Sequence, residues 1–199
     1  MVGVEQAGSE NPSSSVEAAL NDLELEVTDE ERPRVLEMLK SHSKLWDGRL
    51  GQVRGVEHRI PTVGEPIRQQ PYRCGLKTRE AVEQEIKRMS ELDVIEPATS
   101  EWAAPIVLIP KPDGSLRFCI DYRRLNALTV RDSYPLPRMD DCLDSLGTAQ
   151  IFSTLDANSG YWQLNVSEAD RDKTSFTYHR GTFRFKRMPF GLVNAPATF

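Results

Sequence analysis

Asp156 is the residue best placed for chemistry in this 199-residue sequence. It closes an apolar run, Ile151-Phe152-Ser153-Thr154-Leu155, and precedes Ala157-Asn158-Ser159-Gly160, a sharp exit into Tyr161 and Trp162. A carboxylate at the carboxyl end of a strand points into a crevice. Such carboxylates hold the Mg2+ ions that activate an attacking hydroxyl and neutralise a departing pyrophosphate. One carboxylate does not hold two ions, and the same spacing also describes an Asp that caps the turn after it. A second candidate is a hairpin with Lys111 before the turn signal Pro112-Asp113-Gly114 and Arg117 after it. Two cations on a flexible hairpin clamp a polyphosphate by charge-assisted hydrogen bonds, although exposed charges on hairpins also serve solubility alone. The third is the run 171–187, where Arg171, Lys173, Arg180, Arg184, Lys186 and Arg187 face the single acid Asp172 and alternate with Phe176, Tyr178, Phe183 and Phe185. That mixture suits a sugar-phosphate backbone, or else a solvated hairpin face.

The elements that must carry these residues are legible in the pattern of apolar positions. Residues 105–110 read as a buried strand, and 116–122 alternate, with Arg117, Cys119 and Asp121 on one face and Leu116, Phe118, Ile120 and Tyr122 on the other. Residues 151–155 read as a strand ending at Asp156, and 174–178 with 182–185 as a second hairpin turning at His179-Arg180-Gly181. A helix is predicted over 78–92, with Val82, Ile86, Met89 and Leu92 on its apolar face. A short helix around Met139, Leu143 and Leu146 is ended by Gly147. Upstream, Thr28-x-x-Glu31 is a capping box opening a helix that aligns Val35, Leu39 and Trp46, and Ser14-x-x-Glu17 is a weaker one. Pro61, Pro66 and Pro71 keep the chain extended between these helices and the first long one.

Charge is distributed unevenly. Residues 1–31 hold nine acidic residues and no Lys or Arg, so the remaining chain carries 25 basic against 21 acidic residues, and the overall charge of -5 comes from the tail. Residues 1–15 contain almost nothing apolar and read as a disordered linker. Cys74, Cys119 and Cys142 are odd in number and widely spaced, with no His at metal-ligand spacing, which predicts free thiols in a reducing compartment. No basic-then-apolar leader and no run of about 18 apolar residues occurs, so the expectation is an intracellular chain with no membrane partner.

Several long motifs occur together and in order: Trp102-Ala103-Ala104-Pro105 through Lys111-Pro112-Asp113-Gly114; Arg117-Phe118-Cys119-Ile120-Asp121-Tyr122-Arg123-Arg124-Leu125-Asn126; and Tyr134-Pro135-Leu136-Pro137-Arg138. They continue with Phe152-Ser153-Thr154-Leu155-Asp156-Ala157-Asn158-Ser159-Gly160-Tyr161-Trp162-Gln163-Leu164, Asp172-Lys173-Thr174-Ser175-Phe176 and Arg187-Met188-Pro189-Phe190-Gly191-Leu192-Val193-Asn194-Ala195-Pro196. Together they resemble the reverse transcriptase of gypsy-type LTR retrotransposon Pol polyproteins, over residues 46–199.

The resemblance implies an α+β right-hand polymerase. It places an acidic linker at 1–27, a peripheral helix and connector at 28–66, and a partial reverse transcriptase domain at 67–199, with fingers at 67–130 and 167–186 and palm at 131–166 and 187–199. It implies that Asp156 is the first metal-binding aspartate, that the carbonyl of Ala157 is a second ligand, and that Lys111 and Arg117 grip the triphosphate. Tyr161 falls where the family has its steric gate against a 2′ hydroxyl, and Phe190 and Gly191 where it lines the nucleotide pocket. Retroviral relatives usually have Gln in place of Phe190, which here keeps a packing role. Arg123, Arg171, Lys173 and Arg187 are implied nucleic-acid contacts, while Asp121 and Asn126 are expected to serve structure first.

The implied cofactor is Mg2+, two ions in the complete enzyme. The implied partners are dNTPs, an RNA or DNA template-primer, and the remainder of a Pol polyprotein, namely palm completion, thumb, RNase H and integrase. Localisation is expected to be cytoplasmic, in a virus-like particle, or nuclear. The family's Tyr-x-Asp-Asp motif does not occur, and Asp140-Asp141 lies in a predicted helix start before the catalytic strand. The chain is therefore expected to be inactive by itself, with a non-catalytic nucleic-acid-binding remnant as the alternative and a folded interaction module as a third class.

Overall fold

A computed structural model describes residues 25–199 except Trp46, Arg73, Cys74, Asp113 and Ser115, and the side chains of Leu76 and Lys77 are also left undescribed. The predicted linker at 1–15 and the capping box at Ser14 lie outside the described residues. The chain divides into two compact units, Met1–Gly51 and Gln52–Phe199.

In the first unit the capping box at Thr28 forms in both directions. The backbone N–H of Glu31 donates to Thr28 Oγ1 at 3.3 Å, and the Thr28 N–H and hydroxyl donate to Glu31 Oε2 at 3.2 and 2.8 Å. Helix α1, Arg32–Ser41, follows, with Pro33 in its first turn, where a missing N–H costs nothing. Val35 and Leu39 lie half-buried on it; Trp46, predicted to align with them, lies outside the described residues.

The second unit is built on a five-stranded sheet ordered β2-β7-β6-β3-β4. Its strands are β2 (Ile95–Pro97), β3 (Ala104–Pro110), β4 (Leu116–Ile120), β6 (Phe176–Tyr178) and β7 (Gly181–Phe185). A two-stranded parallel pair, β1 (Glu57–His58) and β5 (Asn165–Val166), lies apart from it. The β3–β4 and β6–β7 hairpins form as their turn residues predict, and β3 joins β6 in parallel through Ala104 and Phe176. Helix α2, Leu76–Glu91, buries Val82, Ile86 and Met89 and packs on β2 and β4, while Leu92, predicted on that face, sits past its end and is exposed. The short helices α3 (Arg123–Leu128), α4 (Met139–Leu146) and α5 (Ala195–Thr198) complete the set.

The core joins residues from well-separated parts of this unit: Ile60, Ala104, Tyr122, Leu164, Val166 and Met188 are buried together. Phe176 is fully buried among Phe118, Phe183 and Phe185, its ring centroid 5.4 to 6.2 Å from theirs.

The structure corrects four expectations. Residues 151–155 form no strand; Ile151, Phe152 and Leu155 are exposed, because a strand is stabilised by a hydrogen-bonded neighbour and none of the described strands pairs with them. Strand β3 is buried only where it enters the sheet, and toward the turn it projects beyond the core. The second hairpin begins at Phe176 rather than at Thr174, which ends a 3-10 helix, Glu168–Thr174, and is buried with its hydroxyl bonded to Arg171 O and to the Phe185 N–H. Asp121, placed by alternation on the outer face of β4, is buried by Tyr72 and Arg123. Helix α4 and its Gly147 stop form as predicted, yet α4 buries no residue and Met139 is 78% exposed.

Candidate functional site

Glycines and turn bonds hold the loop around Tyr161. Ser159 adopts left-handed backbone, the Gly160 N–H donates to Ala157 O at 3.1 Å, the Trp162 N–H to Ser159 O at 2.8 Å, and Gln163 Nε2 to Asn158 O at 2.9 Å. These bonds fold residues 160–163 into a single 3-10 turn that presents Tyr161 and buries Trp162.

Tyr161 meets Phe190 at a centroid distance of 5.0 Å and 31°, and Phe199 edge-on at 5.4 Å. Trp162 lies behind Phe190 at 6.5 Å, and the Arg88 guanidinium sits 5.1 Å over its ring. The sequence reading of this helix gave its packing face to Val82, Ile86, Met89 and Leu92, not to Arg88, and gave Trp162 no role. Neither periodicity nor motif spacing signals a contact between a helix and a loop so distant in sequence.

Gly191 has φ +93°, and a Cβ there would stand 3.6 Å from the Tyr122 ring and 3.8 Å from Ile120 O. The 190–193 loop thus lies against the base of β4. Asn126 fastens it: Nδ2 donates to Gly191 O at 2.7 Å and Oδ1 accepts from the Val193 N–H at 3.0 Å. Asp121 accepts Arg123 Nε and NH2 at 2.8 and 2.7 Å and the Tyr72 hydroxyl at 3.2 Å, and the bonds from Arg123 foremost hold its carboxyl down at about 2. Both residues therefore do the structural work expected of them, while the rest of the Arg123 side chain stays exposed.

Lys111 and Arg117 flank the β3–β4 turn, where the Gly114 N–H donates to Lys111 O at 3.0 Å and Arg117 stands opposite Ile109. Among the described residues neither is ion-paired with a carboxylate, and Arg117 is exposed.

The run 171–187 behaves differently. Lys173 Nζ lies 2.7 Å from both Asp170 Oδ1 and Ile60 O; Arg184 spans Glu96 and Asp172, each at 2.7 Å; Lys186 meets Asp93 at 2.6 Å. Arg171 donates to Val166 O at 3.4 Å and stands 3.8 Å from Glu96, and Arg180 reaches Glu83 at 3.2 Å. Arg187 is half-buried, with one guanidinium nitrogen buried and unbonded among the described residues. These cations are largely engaged inside the protein rather than presented as a free cationic face.

Asp156 is exposed in an irregular segment. Among the described residues no group of three His, Cys, Asp or Glu side chains is placed to hold a metal ion. One carboxylate and the Ala157 carbonyl, which already accepts Gly160, fall short of the oxygen donors that Mg2+ requires. The described residues therefore do not by themselves fit a two-metal centre. Among them, too, no helix is long and apolar enough to cross a membrane.

The arrangement is a five-stranded sheet carrying a cationic hairpin, with the aromatic cluster of Tyr161, Phe190 and Phe199 beside it. Two solved structures share this fold. The native protease–reverse transcriptase of prototype foamy virus superposes with a TM-score of 0.79 at 23% identity, covering 98% of this chain and 27% of that one. A foamy viral protease–reverse transcriptase in complex with double-stranded DNA gives 0.76 at 22%, covering 100% and 36%. The chain thus shares the fold of these two proteins, α+β in composition.

Residues 109–199 match the family described as "Reverse transcriptase (RNA-dependent DNA polymerase)". The Pol polyprotein of transposon 412 from Drosophila melanogaster is 38% identical over 141 residues, 68% of this chain and 11% of that polyprotein. That of transposon gypsy is 36% identical over 141 residues, 68% and 14%. An RNA-directed DNA polymerase homolog from Oenothera berteroana is 51% identical over 85 residues, 43% and 60%. The chain belongs to the reverse transcriptases of LTR retrotransposon Pol polyproteins, and it spans only about a tenth to three-fifths of these relatives.

Proposed function

We propose that this chain supplies the nucleotide-gripping fingers and the first metal-binding carboxylate of an RNA-directed DNA polymerase that extends a primer with dNTPs. The observation that carries this reading is the convergence of Tyr161, Phe190 and Gly191 at the base of the hairpin whose far end bears Lys111 and Arg117. An aromatic ring supports a sugar, a glycine admits a close neighbour, and two cations that pair with no carboxylate among the described residues suit a triphosphate.

Asp156 and the Ala157 carbonyl would be this chain's share of a Mg2+ site whose other carboxylates are not among the described residues. Lys111, Arg117 and Arg123 are then the preferred contacts for phosphates. Arg171 and Lys173 serve the fingers from within. The work would take place inside the cell, beside the other parts of a Pol polyprotein.

In primer extension with an RNA template, Mg2+ and dNTPs, the 199-residue chain alone is expected to incorporate no nucleotide. Incorporation that disappears in Asp156→Ala would overturn this. It is expected to bind a primer-template duplex with an affinity that falls with salt, and absence of binding at low salt would overturn the polymerase reading and the non-catalytic binding alternative together.

A further inference from the structure

Phe190 is 57% exposed, so the ring that braces Tyr161 cannot owe its position to burial alone. Behind it stands Trp162, only 8% exposed, whose indole N–H is buried and has no hydrogen-bond partner among the described residues. A buried indole commonly finds a partner for that N–H, and the bond fixes the ring's rotation. Here rotation is restrained instead by its neighbours: the Arg88 guanidinium, 5.1 Å over the ring, and Phe190, whose ring is tilted by 58° with its centroid 6.5 Å away.

Arg88 is itself held. Glu85, one turn earlier on α2, accepts its Nε at 3.0 Å and its NH2 at 2.6 Å, a two-point fork that sets the orientation of the guanidinium plane. A continuous chain of contacts runs from α2 to Tyr161: Glu85, Arg88, Trp162, Phe190, Tyr161.

We propose that Arg88 and Trp162 are positioning residues that set the Tyr161 ring through Phe190, so that α2 tunes how strongly the site rejects a 2′ hydroxyl. The effect on sugar choice rests on the nucleotide-pocket reading given above, whereas the mechanical coupling from Arg88 to Tyr161 does not. Arg88 touches no nucleotide in this scheme. A Lys at position 88 keeps the cation over the indole but loses the fork, and a Met keeps the length and loses both.

Two readouts separate the parts. The full chain is labelled with fluorotyrosine, the Tyr161 resonance is identified by its loss in Tyr161→Phe, and circular dichroism melts verify that each variant folds. Arg88→Met is expected to shift and broaden the Tyr161 resonance, and Arg88→Lys to restore most of its position. A Tyr161 resonance unchanged in folded Arg88→Met overturns the coupling. If Arg88→Met fails to fold, Glu85→Gln, which loosens the fork and keeps the cation, is expected to broaden the same resonance, and an unchanged signal there overturns the coupling instead.

Titration with dUTP and with UTP, which differ only in the 2′ hydroxyl, in the presence of Mg2+ then reads the consequence. Wild type is expected to prefer dUTP, and Arg88→Met to lose about 2- to 5-fold of that preference, the size of one half-exposed cation–π contact. A preference that is undiminished in Arg88→Met overturns the tuning. Equal binding of the two nucleotides, or none, by wild type overturns the nucleotide-pocket reading and with it the tuning, while the fluorine signal still decides the coupling.

Discussion

His58 is 1% exposed, and its Nδ1 lies 2.8 Å from Thr198 Oγ1. The Thr198 hydroxyl also donates to Asn194 O at 3.1 Å, so it accepts from His58, and the network selects the neutral tautomer with the proton on Nδ1. Burial lowers the pKa of this imidazole from 6.5 to about 4, against the opposing pull of Asp170. The folded value lies below the unfolded one, so the associated stability is fully present above pH 6.5 and is lost as pH falls toward 4. Urea unfolding is expected to show about 3 kcal/mol less stability near pH 4 than near pH 7, an acid loss that His58→Gln removes. Asp121, held down to about 2, adds a further loss only below its unfolded value of 3.8. At Gly191 the backbone sits at φ +93° against Tyr122, and Gly191→Ala is expected to cost about 1–2 kcal/mol in the same assay.

Among the elements, the β3–β4 and β6–β7 hairpins illustrate how charge seen in sequence differs from charge available to a ligand. Arg171, Lys173, Arg184 and Lys186 hold Glu96, Asp170, Asp172 and Asp93, and so bind β2, β7 and the 3-10 helix Glu168–Thr174 to one another. Lys111 and Arg117 project from a turn beyond the core. Duplex binding measured across a salt series is therefore expected to lose about one unit of slope in Lys111→Ala or Arg117→Ala, whereas Lys173→Met leaves the slope unchanged and lowers stability. Equal slopes in all three would place the phosphate contact elsewhere. In the first unit, Thr28→Ala removes the reciprocal cap and is expected to destabilise α1 by about 1 kcal/mol, seen as lost helicity in circular dichroism.

For the molecule as a whole, the segment 134–155 is the exception to an otherwise ordinary core. Tyr134, Leu136, Met139, Leu143, Leu146, Ile151, Phe152 and Leu155 are all exposed, in one stretch of chain. Apolar surface of this kind, next to a run that pairs with none of the described strands, favours self-association. Sedimentation is expected to show concentration-dependent association of the 199-residue chain, reduced in the double variant Phe152→Glu with Leu155→Lys. Monomeric behaviour of the unaltered chain at all concentrations would refute this.

Local chemistry was readable without a structure wherever neighbours in sequence decide the outcome. The Thr28 box, the turn bond from Gly114 to Lys111, the Val82, Ile86 and Met89 face of α2 and the Gly147 stop depend on residues three or four apart, and all formed. The ordered motifs likewise identified the family, because they record a site whose parts lie far apart in the chain. Three things needed the tertiary structure: which cations are consumed in ion pairs, that Asp121 is buried beneath Tyr72 and Arg123, and that Arg88 lies over Trp162. Most of these turn on contacts across tens of residues, such as Arg184 with Glu96, Tyr72 with Asp121 and Arg88 with Trp162, or on a change in solvent exposure, and no periodicity encodes either. The segment 151–155 shows the same limit from the other side. Its sequence favours a strand, but a strand exists only where a neighbour supplies the other half of every hydrogen bond.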